Sequence, residues 1–422
     1  LGSSPSAEPW PTFHTGQLNV TDAAVFKNHG NLVLDDVLTL TGSAFHNQGT
    51  AHGKTLVLGD GADWYTYEPT KDQKANGVHF AEHFATMIYE EGSRFICEVV
   101  ETPEYLYIDQ GNDIFRGGQI YGMTEDGTVG KAFEHLVVGG VFKGDEADAG
   151  LGYPDHPLIA FEAGRYAFTD AIVGIDEEGQ SAAGTLALAG STFTLADSLT
   201  VKKAGTVEIS GGTVSTGSIV VEGGSFTVTD GKATTGLLSV ADGVTATIAG
   251  GALTADQLAL TGTVSLEKGG ALTTGSSQLF TTALNASGDN ADAGNLTANA
   301  GKLAFNGGSL FVNDARYNLL YAASAAKALK GKGSAWDKDN RDNSTLWFTG
   351  TLTEAAGGTV DAGDIPENTV HAEVSIDLKK DGNTTTAEID KSFGGKDLTI
   401  GSGISDVNIN ADKTLTIVGS SD

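Results

Sequence analysis

The sequence is short of several things that compact folds and enzymes use. It has one cysteine, Cys97, among 422 residues, so no internal disulfide can form. Seven of its eight prolines lie at or before Pro157, and only Pro366 lies beyond. The long middle of the chain therefore keeps every backbone N–H available to a sheet paired on both sides. No run of eighteen apolar residues occurs, which excludes a membrane-spanning helix in this segment. Basic residues are few, 25 Lys and Arg against 54 Asp and Glu, for a net charge of −29. Phosphate binding needs a basic face, so nucleic acid is excluded as a general partner. An acidic surface instead favours solubility and mutual repulsion at low salt. Neither a Gly-Asp-Ser-Gly sequence nor a Gly-x-Ser-x-Gly elbow is present, so serine nucleophile chemistry has no anchor. The glycine-rich nonapeptide of calcium-binding solenoids is missing too, and no cofactor is expected.

What is present is a repeat of 18 to 21 residues, clearest from Gly184 to Gly275. Leu186/Leu188, Val207/Ile209, Phe226/Val228, Ala246/Ile248 and Val264/Leu266 recur at spacings of 21, 19, 20 and 18. Leu199/Val201, Ile219/Val221, Leu238/Val240 and Leu258/Leu260 recur at 20, 19 and 20. A third series runs through Phe193, Val214, Leu253 and Leu272. Residues i and i+2 of a strand share a face, so each pair points inward and the residue between faces water. Three apolar pairs per turn of about twenty residues predict a parallel β-solenoid. A sandwich does not need its apolar pairs to recur in three registers. Short connections between parallel strands predict a right-handed coil. Near the N-terminus, Phe26-Lys27-Asn28-His29-Gly30 returns 19 residues later as Phe45-His46-Asn47-Gln48-Gly49. Asn28 and Asn47 are predicted to stack at a coil corner and hydrogen-bond along the axis.

The expected fold is thus all-β, a right-handed parallel β-helix with lateral insertions containing short helices. Residues 1–60 read as an N-terminal cap and first coils. Residues 61–180 hold 17 of the 32 aromatics and break the pattern, as irregular coils with long insertions or an inserted subdomain. Residues 181–312 are the regular coils. Residues 313–345 read as a helix and loop: Asn313 or Asp314 caps the start, Tyr317, Leu320, Tyr321, Ser324 and Ala328 share a face, and Lys330 precedes Gly331. Residues 346–422 resume the coils and stop in a strand-like stretch at Lys413–Val418 without a cap. That predicts a segment cut from something longer, as Leu1-Gly2-Ser3-Ser4 reads as a mature start or an expression scar.

Three candidate sites follow. His79-Phe80-Ala81-Glu82-His83 matches the H-x-x-E-H pattern of zinc peptidases. On a helix over 78–91, His79 and His83 would share a face as ligands and Glu82 would be the general base. The same stretch also reads as an ordinary surface helix, and no helix carrying a third acidic ligand is visible. Trp64, Tyr65 and Tyr67, large rings after a Gly-Asp-Gly turn, read as a binding surface; the competing reading makes the aromatics of 61–180 a core. Trp336, in a charged loop with Lys332 and Arg341, reads as an interface anchor. Polysaccharide-cleaving β-helices need clustered carboxylates, yet only 11 of residues 181–280 are charged. Cys97, in an alternating apolar setting, reads as a buried structural thiol.

The Phe-x-Asn-x-Gly units at Phe26–Gly30 and Phe45–Gly49, the turns at Gly211-Gly212, Gly223-Gly224 and Gly250-Gly251, and the scarcity of cysteine resemble the passenger domain of a bacterial autotransporter adhesin. The resemblance covers about two-thirds of the chain and is architectural. It implies secretion across the Gram-negative outer membrane, display at the cell surface by a C-terminal barrel, and a non-enzymatic role in cell adhesion, self-aggregation and biofilm formation. Its implied partners are a host glycan or matrix protein, or a second passenger. The extracellular polysaccharide-degrading enzyme and the zinc peptidase are the alternatives.

Overall fold

The computed structural model describes residues 11–22, 25–67, 82–98, 104–124, 126–140, 151–177, 180–267 and 269–275, and beyond these the backbone of strands at 295–298, 301–306, 309–318, 345–353, 370–372, 376–381, 384–389 and 406–409. The fold is all-β, dominated by parallel pairing, with no helix among the described residues. Two compact units divide the chain, Leu1–Glu208 and Ile209–Asp422.

In the first unit the apolar pairs become strand registers. Leu38 and Leu40 of Val37–Thr41 lie opposite Leu56 and Leu58 of Thr50–Leu58, and these lie opposite Met87 and Tyr89 of Glu82–Glu90. The same run continues in parallel through Asn112–Arg116, Leu158–Ala163 and Gly184–Leu188. A second run pairs Tyr105–Ile108 with His135–Val138, then Arg165–Val173, then Thr192–Val201. A separate six-stranded sheet orders Val25–Asn28, Ala44–Asn47, Asp63–Thr66, Arg94–Cys97, Gln119–Met123 and Val129–Ala132, parallel except for the last pair. Strands from 63 to 173 therefore pair with those before and after them. The offset between partners grows from 19 residues at Asn28–Asn47 to 31 at Asp63–Arg94.

The repeated Phe-x-Asn-x-Gly unit has a local cause. Asn28 Nδ2 donates to Asn47 Oδ1 at 2.8 Å and to Thr50 O at 2.9 Å, while Asn28 Oδ1 accepts from Gly30 N–H. Both side chains are buried, so these bonds satisfy amides that would otherwise be costly to enclose. Gly49 is required because a Cβ there would sit 2.0 Å from the Gly30 carbonyl oxygen. Cys97 continues the register beyond Thr66 and is half-buried rather than enclosed.

In the second unit, Phe226, Ala246, Val264 and Leu303 face one another in successive parallel strands, as do Val228, Ile248 and Leu266. Ala233, Leu253 and Leu272 form a parallel series, and Leu238 faces Leu258. All of these side chains are at most 2% exposed. Each Leu, Ile or Val so buried contributes roughly 1.5–3 kcal/mol. Ser225–Val240 serves both series because it turns at Gly231, where φ is +76°. Farther on, Thr345–Thr353 pairs in parallel with Ser309–Asn318 and with Val370–Ala372. Ile376–Asp381 and Thr384–Ile389 form an antiparallel hairpin in a small separate sheet, in which Thr384–Ile389 also pairs in parallel with Asp406–Ile409.

Both helix expectations are overturned where the structure describes them. Glu82–Glu90 is a strand, because Met87 and Tyr89 stack in register on Leu56 and Leu58 and the pairing outweighs a weak helical stripe. Ser309–Asn318 is a strand as well, paired with Ala271–Gly275. The Asn313-Asp314 pair read as a helix cap falls where the register of that strand shifts between Val312 and Ala315. The rest of the expected helix lies outside the described residues.

Candidate functional site

Alternation assigns the six-stranded sheet two faces. The inner row is Phe26, Phe45, Trp64, Phe95 and Ile120 in register. Its rings stack, with centroids 4.8 Å apart at Phe26–Phe45 and 4.1 Å at Phe45–Trp64. The outer row is Lys27, His46, Tyr65, Ile96 and Tyr121, flanked by Asp63, Arg94 and Gln119, and it is covered at Ile96, which is fully buried.

This corrects the expectation for Trp64. It is fully buried between Phe45 and Phe95, so its ring is core and cannot meet a ligand. Tyr65 and Tyr67 do lie on the outer face, both half-buried. His46 joins them: its ring lies 4.4 Å from that of Tyr65 at an interplanar angle of 2°, and its Nδ1 is 2.8 Å from Tyr67 Oη. Beside this plate Arg94 grips Asp63 with two bonds, Nε to Oδ1 at 2.7 Å and Nη2 to Oδ2 at 2.6 Å.

The electrostatics of the plate keep its rings neutral. Burial, then the Lys27 charge, lower the His46 pKa against a smaller pull from Asp63. Burial, then Asp63, raise the Tyr65 phenol, with Arg94 opposing. Tyr67 is raised by burial, then by Tyr65 and Glu98. At neutral pH the face therefore offers an uncharged imidazole, two phenol hydroxyls, the exposed Lys27 ammonium and one internally compensated ion pair. Such a surface can stack against a flat apolar ligand face and exchange hydrogen bonds at its margin. His46, Asp63 and Arg94 were missed in the sequence. The spacing of His46 from Tyr65 repeats the 19-residue period and was the available signal.

The other candidates fare differently. His83 is buried and stacks on His52 at 4.3 Å, in a strand. The helical i, i+4 geometry that a zinc site at His79, Glu82 and His83 requires is absent at Glu82–Glu90, since residues four apart on a strand lie about 13 Å apart. His79 itself, and Lys332, Trp336 and Arg341, lie outside the described residues. Among the described residues no three His, Cys, Asp or Glu side chains converge as metal ligands. The largest carboxylate perturbation is elsewhere. Asp113 is pushed up to about 7 by burial, with a small further push from Asp109 and an opposing bond from Tyr89 Oη at 2.6 Å. Asp113 and Tyr89 are 6% and 0% exposed, so the pair belongs to the core and touches no substrate.

No protein-family model, curated protein or solved structure matches this chain.

Proposed function

We propose that this chain is the right-handed, β-helical passenger of an autotransporter adhesin, displayed outside the Gram-negative outer membrane and acting without catalysis. The observation that carries the reading is the in-register parallel pairing at offsets near twenty residues, with apolar side chains on one face and polar or aromatic ones on the other. Right-handed winding follows from the general preference of parallel strands joined by short connections. A scaffold of this kind presents repeated outward side chains at the strand spacing of about 4.8 Å, so weak contacts add by avidity.

Two faces suit two partners. The Tyr65–Tyr67–His46 plate suits a host glycan or matrix protein, because it combines ring faces with pre-positioned hydrogen-bonding groups. In the second unit, hydroxyls on the outward positions lie in register, Thr227 opposite Thr247 and Thr245 opposite Thr263. That hydroxyl array suits contact with a second passenger.

The test is display of the chain on a non-adherent bacterium behind a heterologous translocator barrel. Cells should sediment and adhere. Thr247→Lys should abolish sedimentation while leaving attachment to a receptor-coated surface, and Tyr65→Ala should do the reverse. If displaying cells neither sediment nor adhere, the adhesin reading is wrong.

A further inference from the structure

The arrangement at Tyr65 occurs a second time in the first unit, on a different sheet. Tyr105 and Tyr107 are alternate residues of the strand Tyr105–Ile108, so both face outward while Leu106 and Ile108 are buried. His135, on the next strand, lies directly opposite Tyr105, and their rings stack at 4.4 Å, the same separation as His46 and Tyr65. Each plate is thus a Tyr-x-Tyr pair with a histidine stacked on its first ring. In the first, Tyr67 fixes the imidazole Nδ1. In the second, Asp170 does so: it faces His135 from the strand beyond, with Oδ2 2.9 Å from His135 Nδ1. The second plate is the more open. Tyr107 is 52% exposed, one of three large apolar side chains so exposed among the described residues.

We propose that Tyr105, Tyr107, His135 and Asp170 form a second carbohydrate-binding plate, selective for neutral hexopyranose polymers. The chemistry of the surface selects this class. The exposed Tyr107 ring offers a π-face to the apolar C–H side of a pyranose. His135 and Asp170 lie beside it, about 7 Å along the strand direction, where equatorial hydroxyls need a donor and an acceptor. Nδ1 is engaged by Asp170, which leaves Nε2 as the nitrogen to meet a sugar hydroxyl. Both polar side chains are already held in place, so little ordering entropy is lost on binding. Charge selects against anionic glycans: Glu104 and Glu134 are exposed beside the plate, and the whole chain carries −29. The plate rests on the adhesin reading only for its biological use; the binding chemistry stands by itself.

The experiment uses the purified 422-residue chain on immobilised mannan, dextran and galactan, with heparin as the anionic comparison, and a thermal melt of every variant. At least one neutral polymer is expected to bind, and heparin is not. Tyr107→Ala should weaken that binding about tenfold, as loss of an aromatic anchor does, while shifting the melting temperature little. Tyr107→Phe should retain it, and Asp170→Ala should weaken it by freeing the imidazole. Tyr65→Ala combined with Tyr107→Ala should abolish it. The proposal is overturned if no neutral polymer binds, if heparin binds better, if the chain binds a protein-coated surface but no polysaccharide, or if Tyr107→Ala binds like the parent. Cells displaying the chain separate the two readings. Adhesion without polysaccharide binding removes the plate alone; polysaccharide binding without adhesion or sedimentation removes the adhesin reading alone.

Discussion

The two units use the same alternation and fill it with different materials. In the first, the inner row of the six-stranded sheet is a pile of rings, Phe26, Phe45, Trp64 and Phe95, and the outer row carries His46, Tyr65 and Tyr121. In the second, aliphatic residues such as Ile248 and Leu266 lie inside, and threonines such as Thr245 and Thr263 lie outside. The lesson is that backbone pairing tolerates either filling, so the filling is free to serve function. The ring pile starts at the same tight period, with Phe26, Phe45 and Trp64 each 19 residues apart, and only the step to Phe95 is longer.

The sharpest break of this comparison is Trp64→Ala. The side chain is fully buried and stacked on both sides, so its loss should cost about 3–5 kcal/mol and lower the melting temperature of the first unit. Ile248→Val, equally buried in the second unit, should cost only about 0.5–1.5 kcal/mol. Calorimetry on the two variants reads the difference. Equal, small shifts would mean that the ring pile is not what holds the first unit.

A pH dependence should also separate the units. Asp113 titrates near 7 when folded and near 3.8 when unfolded. The folded state therefore holds a proton that the unfolded chain gives up. Stability from this group is fully present below about pH 4 and is lost as pH rises through 7, with a difference of roughly 4 kcal/mol between the limits. No titratable side chain is buried among the described residues of the second unit, where the enclosed polar groups are Thr216, Thr235, Ser265 and Thr274. Denaturant melts at pH 4 and pH 8 should show the first unit weaken and Asp113→Asn remove most of the change, because the amide oxygen can still accept from Tyr89. A first unit as stable at pH 8 as at pH 4 would refute this.

The buried amide pair at the head of the first unit comes next in size. Asn47→Ala leaves Asn28 Nδ2 without its 2.8 Å acceptor inside the core, so about 1–3 kcal/mol should be lost. Replacing both asparagines should cost less than the sum of the single changes, since the bond between them is then lost once and neither amide is stranded by the other. A double variant measured against the two singles decides it.

These effects also show what could be read in the sequence. The Asn28–Asn47 bond was legible because the unit Phe-x-Asn-x-Gly repeats at 19 residues, and a repeat in a parallel stack means contact. The series through Phe226, Ala246 and Val264 was legible for the same reason. Trp64 was misread although the rule needed was already in use: adjacent residues of a strand point to opposite faces, so Trp64 and Tyr65 cannot share one surface. The helix over 78–91 failed because Phe84, Met87 and Ile88 fit a helical stripe as well as a strand, and only the partners Leu56 and Leu58 distinguish the two. The Asp63–Arg94 grip was out of reach, since 31 residues separate them with no period to connect them.

The smallest change in stability should bring the largest change in attachment, at Tyr65. Its ring is half-buried on the outer face and stacks on His46, a contact worth about 0.5–1.5 kcal/mol. Tyr65→Ala should therefore move the melting temperature by far less than Trp64→Ala, although the two residues are neighbours in sequence. Attachment of displaying cells to a receptor-coated surface should instead fall steeply, because the plate loses its central ring and His46 loses its support. Tyr65→Phe restores the stack without the hydroxyl and so separates ring contact from hydrogen bonding: attachment recovered by Phe assigns the affinity to the ring face. If Tyr65→Ala destabilises as much as Trp64→Ala, or leaves attachment unchanged, the outer face is merely the back of the core, and the contrast between inner and outer rows carries no functional meaning.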